Sequence, residues 1–342
     1  PNCIPVRRGP AARRRRGDAP PAPRRAFRPH VTRPSTSAPR DPRITEHRNP
    51  RTADIDLAEP LAIVDRIAAE DARVAGAVAQ QREALARAIE CAEAALRSGG
   101  RVIYCGAGTS GRLGVLDASE IPPTFGADFG LFVGLIAGGT PALLRAQEGA
   151  EDSPEGGAHD LREVHVSDRD FVVGIAASGT TPYVHGALHA AKAVGARTGL
   201  VCCTPPPVTI LEVVDVSIIV ITGPEVVTGS TRMKAGTATK LVLNTISTGA
   251  MIRLGKTYGN LMVDLRATNA KLVDRSERIT AEVTGLDRDA TRALLARADG
   301  QVKRAIVMHF LGVEGGDADA ALARAGGVIR RVPDVPAPPP VA

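Results

Sequence analysis

The sequence predicts an α/β protein: a doubly wound parallel sheet with flanking helices, followed by a small C-terminal helical domain. Five short, continuously apolar runs come first, RVIYC (101–105), LFVGLIAG (131–138), FVVGIAA (171–177), TGLVCC (198–203) and VSIIVI (216–221). Strands buried on both faces read in this way. Helical patterns lie between most of them, as crossovers between parallel strands require. Beyond residue 279 three short helical patterns form the appendage. A chain of 342 residues is long enough for one large α/β domain with such additions.

The elements come in order along the chain. Residues 1–43 hold 12 Arg, no Lys, two acids (Asp18 and Asp41) and ten of the 26 prolines. With so few large apolar residues, this arm cannot offset the entropy of ordering and is expected to be disordered. A helical segment fills 44–98. Pro60 suits a first turn, Ile63, Val64 and Ile67 share a face, and Gly76 weakens the later part of the pattern. A second helix over 82–97 spaces Leu85, Ile89, Ala92 and Leu96 on one side and stops at Ser98-Gly99-Gly100. The sheet domain spans 99–260, with crossover helices expected at 111–120, 141–149 and 182–194, then a long amphipathic helix at 230–254 and a linker through Gly259. The C-terminal helical region covers 261–332, and the proline-rich 333–342 is a second loose end.

Charge divides along the same boundary. The formal net of +6 hints at a polyanionic partner, but the arm alone carries +10, so residues 44–342 hold 31 bases against 35 acids, or −4. Nucleic acid is therefore not an expected partner of the folded body. A tether role for the arm is the alternative to a plain solvated extension. No apolar run is long enough to cross a bilayer, and no apolar stretch follows the basic residues as in a secretory signal. The five cysteines, Cys3, Cys91, Cys105, Cys202 and Cys203, contain no C-x-x-C pair. That argues against a metal cage or disulfide framework and for a reducing, cytoplasmic setting without metal; the last four read as small buried apolar residues.

In open α/β sheets ligands bind beyond the carboxyl ends of the strands. After the first strand stands Gly106-Ala107-Gly108-Thr109-Ser110-Gly111-Arg112, formally G-x-G-x-x-G. A dinucleotide reading needs an acid at the end of the next strand, where Ala137-Gly138-Gly139-Thr140 has none. Glycines that bare backbone N–H groups, with the hydroxyls of Thr109 and Ser110 at a helix start, suit a phosphate monoester better, a plain tight turn being the bland alternative. The loop after the third strand repeats the chemistry in Ala177-Ser178-Gly179-Thr180-Thr181-Pro182. Two such loops describe a pocket of neutral donors, unless Ser and Thr only cap helices. Acids close the first two crossovers, Glu120 in Asp117-Ala118-Ser119-Glu120 before Pro122-Pro123, and Glu148, Glu151 and Asp152. Carboxylates at helix C-termini oppose the dipole, which marks Glu120 and Glu151 as a candidate catalytic pair against the reading of solvated surface acids. Arg232 and Lys234 open the long helix where cations are disfavoured, so a carboxylate or anionic ligand would explain them; exposed cations are the alternative.

The stretches GAGTSGRLGVLDASEIPPTFG, LIAGG, EGAEDS, GIAASGTTPYV, GSTRMKAGTATKLVLNTISTG and GNLMVDLRATNAKL together resemble the N-acetylmuramic acid 6-phosphate etherases, enzymes of the sugar isomerase (SIS) fold. The resemblance runs from about Thr45 to about Arg330 and leaves out the arm and the proline-rich end. It implies cleavage of the lactyl ether without metal, nucleotide or other cofactor, a carbon–oxygen lyase reaction of amino-sugar catabolism and peptidoglycan recycling. It also implies Glu120 as proton donor and Glu151, assigned here as base, as the second acid. Ser110, Ser178, Thr180 and Thr181, with Thr109 and the glycines Gly111 and Gly179 of the same loops, become phosphate or sugar contacts. Arg232 and Lys234 are expected to face the site, holding the lactyl carboxylate or the developing enolate, and a homodimer with sites near the interface is expected. The competing class is a non-catalytic sugar-phosphate sensor of the glucokinase-regulator type, which predicts loss of one or both acids; both are present. An SIS-domain transcription regulator would need a helix-turn-helix ahead of the sheet, and residues 1–55 show none.

Overall fold

The computed structural model describes residues 41–265 and 270–340. The arm predicted to be disordered therefore lies outside the described residues apart from positions 41–43. Five parallel strands, β1 (Val102–Gly106), β2 (Phe132–Ile136), β3 (Phe171–Ile175), β4 (Arg197–Cys202) and β5 (Val216–Ile219), form one sheet in the order β2-β1-β3-β4-β5. All five apolar runs are strands. Gly106 pairs with Ile136 on one side and Ile175 on the other, so the loops leaving β1, β2 and β3 emerge side by side. The chain steps from β1 to β2 and returns across β1 to β3; that reversal opens a crevice at the carboxyl edge.

Before the sheet lie α1 (Pro60–Asp71), α2 (Val74–Ala79) and α3 (Arg82–Arg97). α3 has the predicted bounds, and the helix begun at Pro60 breaks at residues 72–73, ahead of Gly76. Within and after the sheet come α4 (Gly108–Phe125), α5 (Pro154–Glu163), α6 (Pro182–Ala193), α7 (Val208–Leu211) and α8 (Lys234–Arg253). Alternate residues of β1 feed two cores. Val102 and Tyr104 face α2, α3, α4 and α8 with Leu85, Ile121, Leu243 and Ile246, whereas Ile103 and Cys105 face α5 and α6 with Leu161, Val184 and Leu188. The α5–α6 contact is made of backbone: a Cβ on Gly157 would stand 1.9 Å from the Tyr183 carbonyl oxygen, and one on Gly186 1.9 Å from that of Pro154.

Three sequence expectations are corrected. The helix expected to stop at Glu120 continues through Pro122 and Pro123 to Phe125, where Gly126 turns left-handed at φ 58°. In a last turn the prolines forfeit two ladder bonds without breaking the helix. The helix expected at 141–149 is a 3-10 turn at Thr140–Leu143, and the real crossover helix is α5, further along. The expected linker carries an antiparallel hairpin, β6 (Thr257–Tyr258) and β7 (Leu261–Met262).

The C-terminal region holds four helices, α9 (Ala270–Thr284), α10 (Arg288–Arg297), α11 (Val302–Leu311) and α12 (Gly315–Arg324), around their own core of Leu294, Ile306, Met308 and Ile329. The proline-rich end is not wholly loose. The Tyr258 hydroxyl donates to the Pro336 carbonyl, and Pro338 packs beside Gly259. Cys91, Cys105, Cys202 and Cys203 are free and buried, as expected. Burial pushes the thiols of Cys105 and Cys202 up to about 12 and that of Cys203 higher still. Among the described residues no helix is long and apolar enough to cross a membrane, and no His, Cys, Asp and Glu cluster could hold a metal.

Candidate active site

The β1 loop folds as it does because two glycines let strand and helix touch. A Cβ on Gly111 would lie 2.5 Å from the Gly106 carbonyl oxygen, and one on Gly106 2.8 Å from the Gly111 nitrogen. Gly108 sits at φ 55°, and Ala107 precedes α4 without a side-chain cap. Thr109 and Ser110 are half-buried at the positive end of α4. The α8 start abuts them: a Cβ on Gly236 would be 3.6 Å from Thr109 Cγ2.

In the β3 loop Ser178 Oγ accepts from Thr180 Oγ1 at 3.0 Å and from the Thr180 amide at 3.3 Å, while Gly179, at φ 70°, packs against Pro206. Thr181 precedes α6 without capping it through its side chain. Simple capping therefore does not account for Thr109, Ser110 or Thr181.

Beside the β1 loop lies a cleft of about 180 Å³ lined by Gly108, Arg112, Ala137, Gln147, Glu148 and Glu151, among others. Glu151 stands exposed in the 3-10 turn Ala150–Asp152, just ahead of Ser153, which caps α5 by accepting from the Gly156 amide at 2.9 Å. This corrects the helix C-terminus assumed for it: Glu151 precedes a helix N-terminus, where a carboxylate is favoured. Glu148 lines the same cleft, and Asp152 is exposed beside it.

Glu120 is elsewhere. It is exposed on α4 twelve residues beyond Gly108, about 18 Å along the helix axis. It does not line the cleft that Glu151 lines, so within one chain the two acids are not brought together. The half-exposed Leu116 lies one turn before Glu120 on its face.

The cations before α8 divide. Arg232 is exposed. Lys234, expected to face the site, is fully buried instead: its Nζ donates to Glu70 Oε2 at 2.6 Å and to the Thr222 carbonyl at 2.9 Å. Arg51 pairs with the same Glu70, whose carboxyl is held down at about 2, first by Arg51 and then by Lys234 against the cost of burial. Glu225 is also buried and caps α8 from a distance, accepting the amides of Ala235 at 2.9 Å and Lys234 at 3.1 Å. This cluster ties the N-terminal segment to the start of α8, and Lys234 does not line the cleft.

Two features escaped sequence reading. Asp117 is buried, accepts from Asn244 Nδ2 at 2.6 Å and Ser247 Oγ at 3.1 Å, and has its carboxyl raised by burial. Arg112 lines the cleft. Its signal was available, since it directly follows the glycine loop Gly106–Gly111.

Residues 83–192 match the family described as glucokinase regulatory protein N-terminal SIS domain. Among solved structures, an E. coli CFT073 protein in complex with A5P is 15% identical with TM-score 0.44, covering 60% of this chain and 96% of its own. A phosphoheptose isomerase from Francisella tularensis is 14% identical with TM-score 0.40, covering 55% and 98%. The N-acetylmuramic acid 6-phosphate etherases of Salmonella choleraesuis (strain SC-B67) and Cronobacter sakazakii (strain ATCC BAA-894) are each 52% identical over 287 residues, covering 84% of this chain and 96% of theirs. Relatives of 52% identity that cover 84% of this chain make it a member of the N-acetylmuramic acid 6-phosphate etherase family.

Proposed function

We propose that the protein cleaves the D-lactyl ether of N-acetylmuramic acid 6-phosphate, giving N-acetylglucosamine 6-phosphate and D-lactate, in amino-sugar catabolism and cell-wall recycling. The observation that carries this is the 52% identity to named etherases along nearly their whole length. The glucokinase-regulator match over 83–192 is the one observation on the side of a non-catalytic sensor; the presence of both Glu120 and Glu151 weighs against it.

The chemistry needs proton transfers alone. In the open-chain sugar the aldehyde acidifies the hydrogen on carbon 2. Glu151, in the cleft beside the Gly108 turn, takes that proton, and the electron pair expels lactate from carbon 3 as Glu120 supplies a proton to the departing oxygen. Water then adds across the unsaturated aldehyde, its hydroxyl to carbon 3 and a proton to carbon 2. One carboxyl begins ionised and the other protonated, a division set by environment. Thr109, Ser110 and Gly111, with Ser178, Gly179, Thr180 and Thr181, bind the phosphate and sugar, and Arg232 rims the site. Since Glu120 lies outside the cleft of its own chain, it serves the cleft of a second copy in a homodimer. The setting is the cytoplasm, where sugar phosphates are found.

Incubation with N-acetylmuramic acid 6-phosphate should release D-lactate, and Glu120→Ala and Glu151→Ala should each lower kcat by about 10²- to 10⁴-fold, the usual weight of a general acid or base. Absence of lactate from the intact protein, with retained sugar-phosphate binding, would establish the sensor instead.

A further inference from the structure

The cleft holds a cation that makes no ion pair among the described residues. Arg112 is half-buried on α4, the fifth residue of that helix and just past its first turn. Its Nε donates to the Leu143 carbonyl at 3.0 Å and one Nη to that of Ala142 at 2.6 Å. Both partners are neutral, and among the described residues no carboxylate forms an ion pair with Arg112. A guanidinium has five N–H donors, so two are spent fixing its orientation. Three remain, and one on each terminal nitrogen can form a second, parallel fork.

We propose that this fork binds the carboxylate of the lactyl group, a 2-alkoxypropanoate, and so selects the ether that carries it. The proposal rests on the etherase reading and adds to it the residue that recognises the leaving group. A planar pair of donors matches a carboxylate in bidentate fashion. The tetrahedral phosphate is suited instead by the hydroxyls and amides of the two glycine loops, which approach from several directions. Arg112 lies four residues along α4 from Gly108, about 6 Å in axial rise, which separates the two anionic groups of one substrate. Ala137, Ala142, Ala146 and Ala150 line the same cleft and offer a small apolar wall for the lactyl methyl. Glu151 shares it, so binding the leaving group here brings carbon 3 and its neighbour carbon 2 to the base. Of the two cations expected to hold the lactyl carboxylate, Lys234 is consumed by Glu70.

The test compares N-acetylmuramic acid 6-phosphate with its lactyl carboxamide, and with N-acetylglucosamine 6-phosphate, which lacks the lactyl group. The wild type should favour the acid over the amide by about 10- to 150-fold in kcat/KM, the range of one charge-assisted contact. Arg112→Gln should erase that preference, chiefly by raising KM for the acid, while affinity for N-acetylglucosamine 6-phosphate stays the same. Arg112→Lys should recover part of it, and melting curves check that both variants fold. An acid preference that survives Arg112→Gln, or vanishes in Arg232→Gln instead, overturns the assignment, as does an equal loss of N-acetylglucosamine 6-phosphate affinity, which would make Arg112 a phosphate ligand. If the wild type releases no lactate, the etherase reading fails separately. Calorimetry then still decides Arg112, because the tighter binding of the lactyl sugar over its parent must disappear in Arg112→Gln.

Discussion

Lys234 shows how far a residue's chemistry can be read without its partners. A lysine before a long helix is anomalous in sequence, and an anion was the correct explanation, but the anion is Glu70, 164 positions away. Nothing local in the sequence distinguishes that carboxylate from a bound one. Removing one member of a buried pair strands the other, so Lys234→Met or Glu70→Ala should cost about 3–5 kcal/mol in urea unfolding. Replacing the pair together should cost less than the sum of the two. Glu70 titrates lower in the folded chain than in the unfolded one. Its contribution is therefore complete above the ordinary carboxylate range and is withdrawn as the pH falls from there toward about 2. Unfolding midpoints measured from pH 6 to pH 3 should fall less steeply in Glu70→Gln than in the wild type.

At the scale of elements the strands were legible because each is a continuous apolar run, and α3 because its stripe and its glycine stop agree. α5 was not. PEGGAHDLRE carries one large buried apolar side chain, Leu161, so no periodic stripe exists to find. Its packing is done by what is missing, the side chains of Gly157 and, across the interface, Gly186. This contact also sets the site, because Pro154 stands three residues after Glu151. Gly186→Ala would drive a methyl into the Pro154 carbonyl, and backbone cannot move aside as a flexible side chain can. We expect a loss of about 1–3 kcal/mol, seen as a lower Tm, with kcat/KM reduced because the turn holding Glu151 shifts. A fall in Tm with unchanged kcat/KM would show that the turn is held independently of α5. The hydroxyl loops after β1 and β3 were readable for a similar reason in reverse, since their glycines mark approaches that only backbone can make.

For the whole molecule, the sequence marks two candidate acids but does not measure the length of helix between them. α4 carries Glu120 twelve residues beyond Gly108, about 18 Å along its axis, and on the proposed reading a second copy closes the distance. Mixing Glu120→Ala with Glu151→Ala subunits, after dissociation and reassociation, should restore about a quarter of wild-type lactate release if each site in a dimer draws on both chains. Mixtures as inactive as their components would place both acids in one chain. The charge balance is likewise a property of regions: the basic excess belongs to the arm, and the body, which takes a small anionic sugar phosphate, is itself mildly acidic. Three of the four cysteines packed under the helices have a further use. Cys91 lines a surface pocket, whereas Cys105, Cys202 and Cys203, with their thiols enclosed, are silent toward alkylating reagents while the sheet is closed. Their rate of modification is then a clock for how often the native sheet opens, set into the structure by residues that take no part in its chemistry.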